Sequence, residues 1–137
     1  MNEDLTFGEF SRFNRERCAS PSGFAEPLDE SSAWTPTHWA LQVCAEAGEL
    51  ADAVTGVTGM KKRKAHLTVE DVGGEIADII AYCDLLAARF GLSLADVVLR
   101  KFNKVSSRIN YPPVVRRESA FQLDAAAPPP RNPGEPR

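Results

Sequence analysis

The chain carries 137 residues, 43% of them hydrophobic, a length and composition that suit one globular domain rather than two. Its net charge of −3 argues against a general nucleic-acid binder, which is usually clearly basic, so no stable nucleic-acid partner is expected. No apolar run reaches membrane-spanning length and the N-terminus has no signal-peptide pattern, which makes a soluble cytoplasmic protein with no membrane partner the expectation. Cys18, Cys44 and Cys83 are odd in number and lack metal-type spacing. Cys44 and Cys83 fall in apolar helical stretches and read as small core residues in a reducing compartment.

Thr6-Phe-Gly-Glu9 reads as a capping box opening a short first helix, to about Arg17. A Ser/Pro/Gly-rich loop from Ala19 to Ala33 completes an N-terminal unit, residues 1–33. Thr35-Pro36 then starts a second helix, with a hydroxyl cap and a proline at the first helical position; Gly56 and Gly59 stop it near Thr55. The linker from Gly56 to Leu67 holds the basic run Lys61-Lys-Arg-Lys64, which reads as a solvated loop, with contact to substrate phosphates across a subunit boundary as the alternative. Thr68-Val-Glu-Asp71 caps the third helix, which ends near Phe90 at Gly91. Ser93-Leu-Ala-Asp96 caps the fourth, which reaches about Asn110 before Pro112-Pro113 forbids continuation. Residues 113–137 turn to Pro, Ala and Arg without apolar periodicity and read as a disordered tail. With no strand pattern, the expectation is an all-α, four-helix-bundle-type domain over residues 34–112.

Val43, Ala47, Leu50 and Val54 form one apolar stripe on the second helix. Val72, Ile76, Ile79, Cys83, Leu86 and Phe90 form another on the third. At roughly 100° per residue, Glu46 and Glu49 lie about 60° and 120° to one side of their stripe, and Glu75 and Asp78 hold the same offsets on theirs. An antiparallel helical hairpin packed stripe to stripe brings both acidic edges to one flank. Four crowded carboxylates repel one another unless a positive charge lies between them, and hard divalent cations take oxygen ligands. Glu46, Glu49, Glu75 and Asp78 are therefore the expected ligands of Mg²⁺, with Mn²⁺ as a substitute.

His38 and Gln42 share the acidic edge of the second helix, while Asp71 and Tyr82 share that of the third. Asp52 and Asp71 are expected outside the metal's immediate ligands. Lys101, Lys104 and Arg108 lie along one edge of the fourth helix, available to phosphate oxygens. A single Glu-x-x-Glu is ordinarily solvated surface; two pairs at matching offsets, with a lysine helix beside them, favour a metal site. A ferritin-like di-iron bundle is disfavoured, because neither His38 nor His66 stands three residues after a glutamate. His38 alone is also a common helix-start residue, Trp34 and Trp39 suit a core or a subunit interface as well as base stacking, and Tyr82 is open between the two.

The segments E-A-G-E-L-A-D-A-V from Glu46, E-I-A-D-I-I from Glu75 and K-F-N-K-V-S-S-R from Lys101 together resemble the all-α nucleoside triphosphate pyrophosphohydrolases. These are the MazG-like proteins, with dUTPase-like and dCTP pyrophosphatase-like branches. The resemblance spans about Trp34 to Pro112, and Thr35-Pro36 with Tyr82 is similar to the dCTP pyrophosphatase branch in particular. It implies a Mg²⁺-dependent helical bundle that cleaves between the α- and β-phosphates, giving a monophosphate and pyrophosphate in nucleotide-pool control. By position it implies metal ligation by Glu46, Glu49, Glu75 and Asp78, and phosphate contact by Lys101 and Asn103. It places Tyr82 in the nucleotide pocket, with His38 and Trp34 toward the base, and it implies a homodimer or homotetramer. Two features depart from the family: Ala45 stands where a further glutamate is common, and Gly73-Gly74 sits in the first turn of the third helix, where close packing would have to offset roughly 1 kcal/mol per glycine.

Chemically, cation and lysine neutralise the triphosphate so that a water of lowered pKa can attack the α-phosphorus in line. Glu49, Glu75 and Lys101 are the expected catalytic residues, with Glu49 orienting the water. The alternative is a non-catalytic nucleotide-sensing or oligomerisation module that keeps the metal cage without turnover.

Overall fold

A computed structural model of the chain describes residues 5–64 and 66–114. The tail read from 113 onward lies almost wholly outside them. Four α-helices follow in order: α1 (Phe7–Ala19), α2 (Pro36–Val57), α3 (Val69–Arg89) and α4 (Leu94–Ser106), with 3₁₀ turns at Lys62–Lys64 and Ser107–Ile109. No strand occurs among the described residues, and no helix there is long and apolar enough to cross a membrane.

The helix starts follow the capping chemistry. Thr6 and Glu9 exchange backbone and side-chain hydrogen bonds at 3.0 and 3.2 Å. Thr68 and Asp71 do the same at 2.6 and 3.3 Å. At α2, with Pro36 at the first position, His38 Nδ1 accepts the Thr35 N–H at 3.0 Å, so the imidazole does the work a glutamate does elsewhere. Gly91, at φ 66, closes α3 by turning left-handed, where a side chain is disfavoured.

α2 and α3 make the most extensive contact in the molecule and run antiparallel: Trp39 meets Tyr82, whereas Glu46, farther along α2, meets Glu75 and Asp78, earlier on α3. The facing surfaces differ from the apolar stripes. Trp39 and Ala53 are buried and Glu46 and Leu50 half-buried on α2; Glu75, Ile79, Tyr82 and Leu86 are half-buried on α3. Each helix is thus turned about half a residue step, roughly 50°, toward its acidic edge. Ala47, Val54 and Ile76 are left exposed as a result. Cys44, expected in the core, is exposed on the far side of α2, and Cys83 is half-buried; Cys18 of α1 takes the core position instead.

The core is small: Cys18, Trp39 and Leu85, with Leu28, Trp34, Tyr82 and Leu86 packed against it. α1 is fastened to α3 by polar bonds. Asp84, fully buried, accepts from Ser11 Oγ at 2.7 Å, Asn14 Nδ2 at 3.2 Å and Arg15 at 3.1 Å, and Asn14 also donates to the Ala81 carbonyl at 2.9 Å. A buried carboxylate with three donors is tolerated; deprived of one partner it is strongly destabilising, by about 3–5 kcal/mol in comparable buried pairs. The loop after α1 closes over Cys18, whose thiol donates to the Glu26 carbonyl at 3.3 Å, and burial pushes that thiol's pKa up. A Cβ at Gly73 or Gly74 would meet nothing within 4 Å, so close packing inside the protomer does not offset their cost.

Candidate metal centre

The half-step rotation of α2 and α3 draws two glutamates partly under cover. Glu46 and Glu75 are half-buried, and with exposed Asp78 they form a trio whose ligand oxygens all lie within 4.8 Å of one another. Glu49 is exposed and outside this trio, yet near enough for its charge to act on it. The Glu46 carboxyl is held above the ordinary 4.5 by burial and then by Glu49, Asp78 and Glu75. That of Glu75 is raised by burial and then by Glu49, Asp78 and Asp71. Among the described residues no lysine or arginine forms an ion pair with any of the four carboxylates. Three oxygen donors of high negative charge with no counter-charge suit a hard divalent cation better than any other ligand.

Two other acids near the site are committed to local structure. Asp71 is held below its ordinary value by the Thr68 hydroxyl and N–H it accepts from. Asp52, three residues beyond Glu49 and about 120° round α2 from Glu46, pairs with Lys61 and Lys64.

Beyond the trio lies an aromatic group. Tyr82, one turn after Asp78, has its ring 6.2 Å from Trp39 and 6.2 Å from Phe24; Trp34 lies 4.6 Å from Trp39 and 6.2 Å from His38. Trp39 is fully buried and therefore core, whereas Trp34 and Tyr82 are half-buried and His38 is exposed. Phe24 was not visible as a member of this group from sequence, since it comes from the loop whose path no local pattern defined. Lys101, Lys104 and Arg108 are exposed on α4 and the turn after it, and Lys101 forms no ion pair among the described residues. Asn103 is already engaged: its amide donates to the Val114 carbonyl at 2.8 Å and accepts the Val114 N–H at 2.9 Å.

No protein-family model matches the sequence, and comparison with curated proteins and with solved structures finds no significant match to either.

Proposed function

We propose that this chain is a Mg²⁺-dependent nucleoside triphosphate pyrophosphohydrolase, converting a (deoxy)nucleoside triphosphate and water into the monophosphate and pyrophosphate. The observation that carries the reading is the trio Glu46, Glu75 and Asp78, three converging carboxylates that no lysine or arginine among the described residues pairs with. The aromatic group one turn along the same hairpin supports it, because a nucleotide needs an apolar face for its base next to a charged site for its phosphates. The resemblance of the Glu46–Glu49, Glu75–Asp78 and Lys101 segments to the MazG-like enzymes names the reaction.

In this reading Glu46, Glu75 and Asp78 hold the cation, which supplies charge neutralisation at the phosphates and lowers the pKa of the attacking water. Glu49, at the rim of the trio, orients that water and takes its proton as it attacks the α-phosphorus. The bond from the α-phosphorus to the bridging oxygen breaks and pyrophosphate leaves. Lys101 binds phosphate oxygens, while Tyr82, Trp34 and His38 flank the base. Asn103 contributes only when Val114 releases its amide.

The assembly is a homo-oligomer of at least two copies. The flank of α2 and α3 away from the acids exposes Val54, Ile76 and Ile80.

The test is incubation of the protein and its Glu75→Gln variant with a panel of NTPs and dNTPs plus Mg²⁺, separating pyrophosphate from orthophosphate. Monophosphate and pyrophosphate from the native chain, lost in the variant, is the expected result. Absence of pyrophosphate from every nucleotide would remove the enzyme reading; stoichiometric binding without turnover would replace it with a nucleotide-sensing module.

A further inference from the structure

α1 and the residue ahead of its cap carry an aromatic face left open among the described residues. Phe7, Phe10 and Phe13 recur every three residues and so stay on one side of the helix. Leu5 is 61% exposed, Phe13 51% and Phe7 47%, too much apolar surface in one place to be incidental. Two shallow hollows open there and share Leu5 and Phe10 as a common wall. One is closed by Phe13 and Arg17, the other by Phe7 and by Ile80 of α3. They follow one another along α1 about one turn apart, some 5.4 Å or so. Arg17 gives one nitrogen to Asn14 Oδ1 at 3.1 Å and forms no ion pair among the described residues.

The chain itself supplies a segment of matching chemistry. Beyond Val115 it holds two large apolar residues, Phe121 and Leu123, in the run Glu118-Ser-Ala-Phe-Gln-Leu-Asp124. Residues two apart in an extended chain put both side chains on one side, about 6.7 Å from each other, close to the spacing of the hollows. Asp124 follows Leu123 directly and is the charge that Arg17 lacks. The described chain also ends within reach. Val114 is pinned to Asn103 of α4 by hydrogen bonds at 2.8 and 2.9 Å. Arg15 of α1 donates to the Leu92 carbonyl at 3.4 Å, so α1 and α4 diverge from one point, and the two helices also touch. Asn103 stands about 13.5 Å along α4 from Leu94, and Phe10 about 7.5 Å back along α1 from Arg15. The seven residues from Val114 to Phe121 span about 23 Å when extended. We propose that residues 118–124 dock in cis on the aromatic face of α1. Phe121 fills the hollow at Phe7 and Ile80, Leu123 fills the one at Phe13, and Asp124 pairs with Arg17. A segment tethered this closely acts at an effective concentration on the order of millimolar, which puts it ahead of a free partner. Docked there, it straps α1 to α3 with an apolar tie besides the polar bonds at Asp84. The proposal needs nothing of the reaction assigned to the carboxylate trio.

Amide hydrogen exchange of the full chain against its Phe121→Ser/Leu123→Ser variant tests it. Both substituted positions lie outside the four helices, so equal far-ultraviolet circular dichroism is expected. The amides of α1 should exchange roughly tenfold faster in the variant, the effect of uncovering two apolar side chains, while the hairpin of α2 and α3 is unchanged. A synthetic peptide of residues 116–127, followed by calorimetry, should bind the variant and restore the protection of α1. It should bind the native chain about tenfold more weakly or worse, because the chain's own segment competes. Equal exchange of α1 in the two proteins overturns the proposal, and so does a peptide that fails to bind the variant or binds both proteins alike. Protection of α1 that rises with protein concentration in both proteins assigns the face to a second copy instead.

Discussion

Glu46 and Glu75 carry the strongest functional signal at the scale of single residues, and their electrostatics can be tested without a substrate. Both carboxyls are raised above 4.5, by burial first and by neighbouring carboxylates next. A group whose folded pKa lies above its unfolded value binds its proton more tightly in the folded state. Its favourable contribution is therefore complete in acid and is lost as pH rises through the raised value. Near neutrality the trio is a source of repulsion, and a bound divalent cation removes it. Thermal scans with and without Mn²⁺ should show a cation-induced rise in Tm at neutral pH. That rise should shrink toward zero as pH falls through the range just above 4.5, because a protonated carboxyl is no ligand. Glu75→Gln should raise the Tm of the cation-free protein at neutral pH and abolish the response to Mn²⁺. A response equal in both proteins, or one independent of pH, places the cation elsewhere.

The helices themselves were legible because each announces its start: Thr6 with Glu9, Thr68 with Asp71, and Ser93, whose hydroxyl accepts the Asp96 N–H at 3.3 Å. The acidic pairs were legible for the same reason, since i, i+3 spacing on a helix is fixed by its pitch. The facing angle of α2 against α3 was not. Apolar periodicity located stripes on both helices, but the indole of Trp39 and the ring of Tyr82 are large enough to set the packing line, and that line runs closer to Glu46 and Glu75. The role of α1 was also hidden, because Ser11, Asn14 and Arg15 look like surface residues until Asp84 is placed among them. The end of α4 is similar: Asn110, at φ 53, reverses the chain so that Tyr111 meets Phe102 edge-on and Val114 reaches Asn103. Gly48 offers a test of how α2 is surrounded. It is exposed inside the helix, between the two glutamates of the first pair, and a Cβ there would meet nothing within 4 Å. Gly48→Ala should therefore raise the stability measured by urea unfolding by about 1 kcal/mol, the difference in helix propensity. A loss of stability would mean that another surface packs on that side.

Taken as a whole molecule, the protomer is under-covered. Among the described residues the buried hydrophobic ones are Cys18, Trp39, Ala53, Ala81 and Leu85, while Val54, Ile76 and Ile80 on the hairpin, Val98, Phe102 and Val105 on α4 and Ile109 in the turn after it are more than a third exposed. Isolated apolar residues on a surface need no explanation, but these fall into rows. Val98, Phe102 and Val105 are spaced four and three residues apart, one stripe of α4, and Ile109 follows four residues on in the turn after it. The hairpin set follows from the rotation that brought Glu46 and Glu75 inward: turning each helix toward its acidic edge turned the opposite edge of its apolar stripe outward. One structural choice thus creates the acidic trio and leaves an apolar flank behind it. At roughly 25 cal/mol per Å², covering such a flank is favourable wherever a matching surface is available, and a second copy of the chain carries one. Sedimentation velocity at micromolar concentration should show a species of at least two copies. Ile76→Glu, which sets a charge on the exposed flank without touching the core residues Trp39 and Leu85, should shift it to monomer while leaving the far-ultraviolet circular dichroism unchanged. A native chain that sediments as a monomer at every concentration would show that the flank faces solvent, and the candidate site would then have to bind its substrate with one protomer's residues alone.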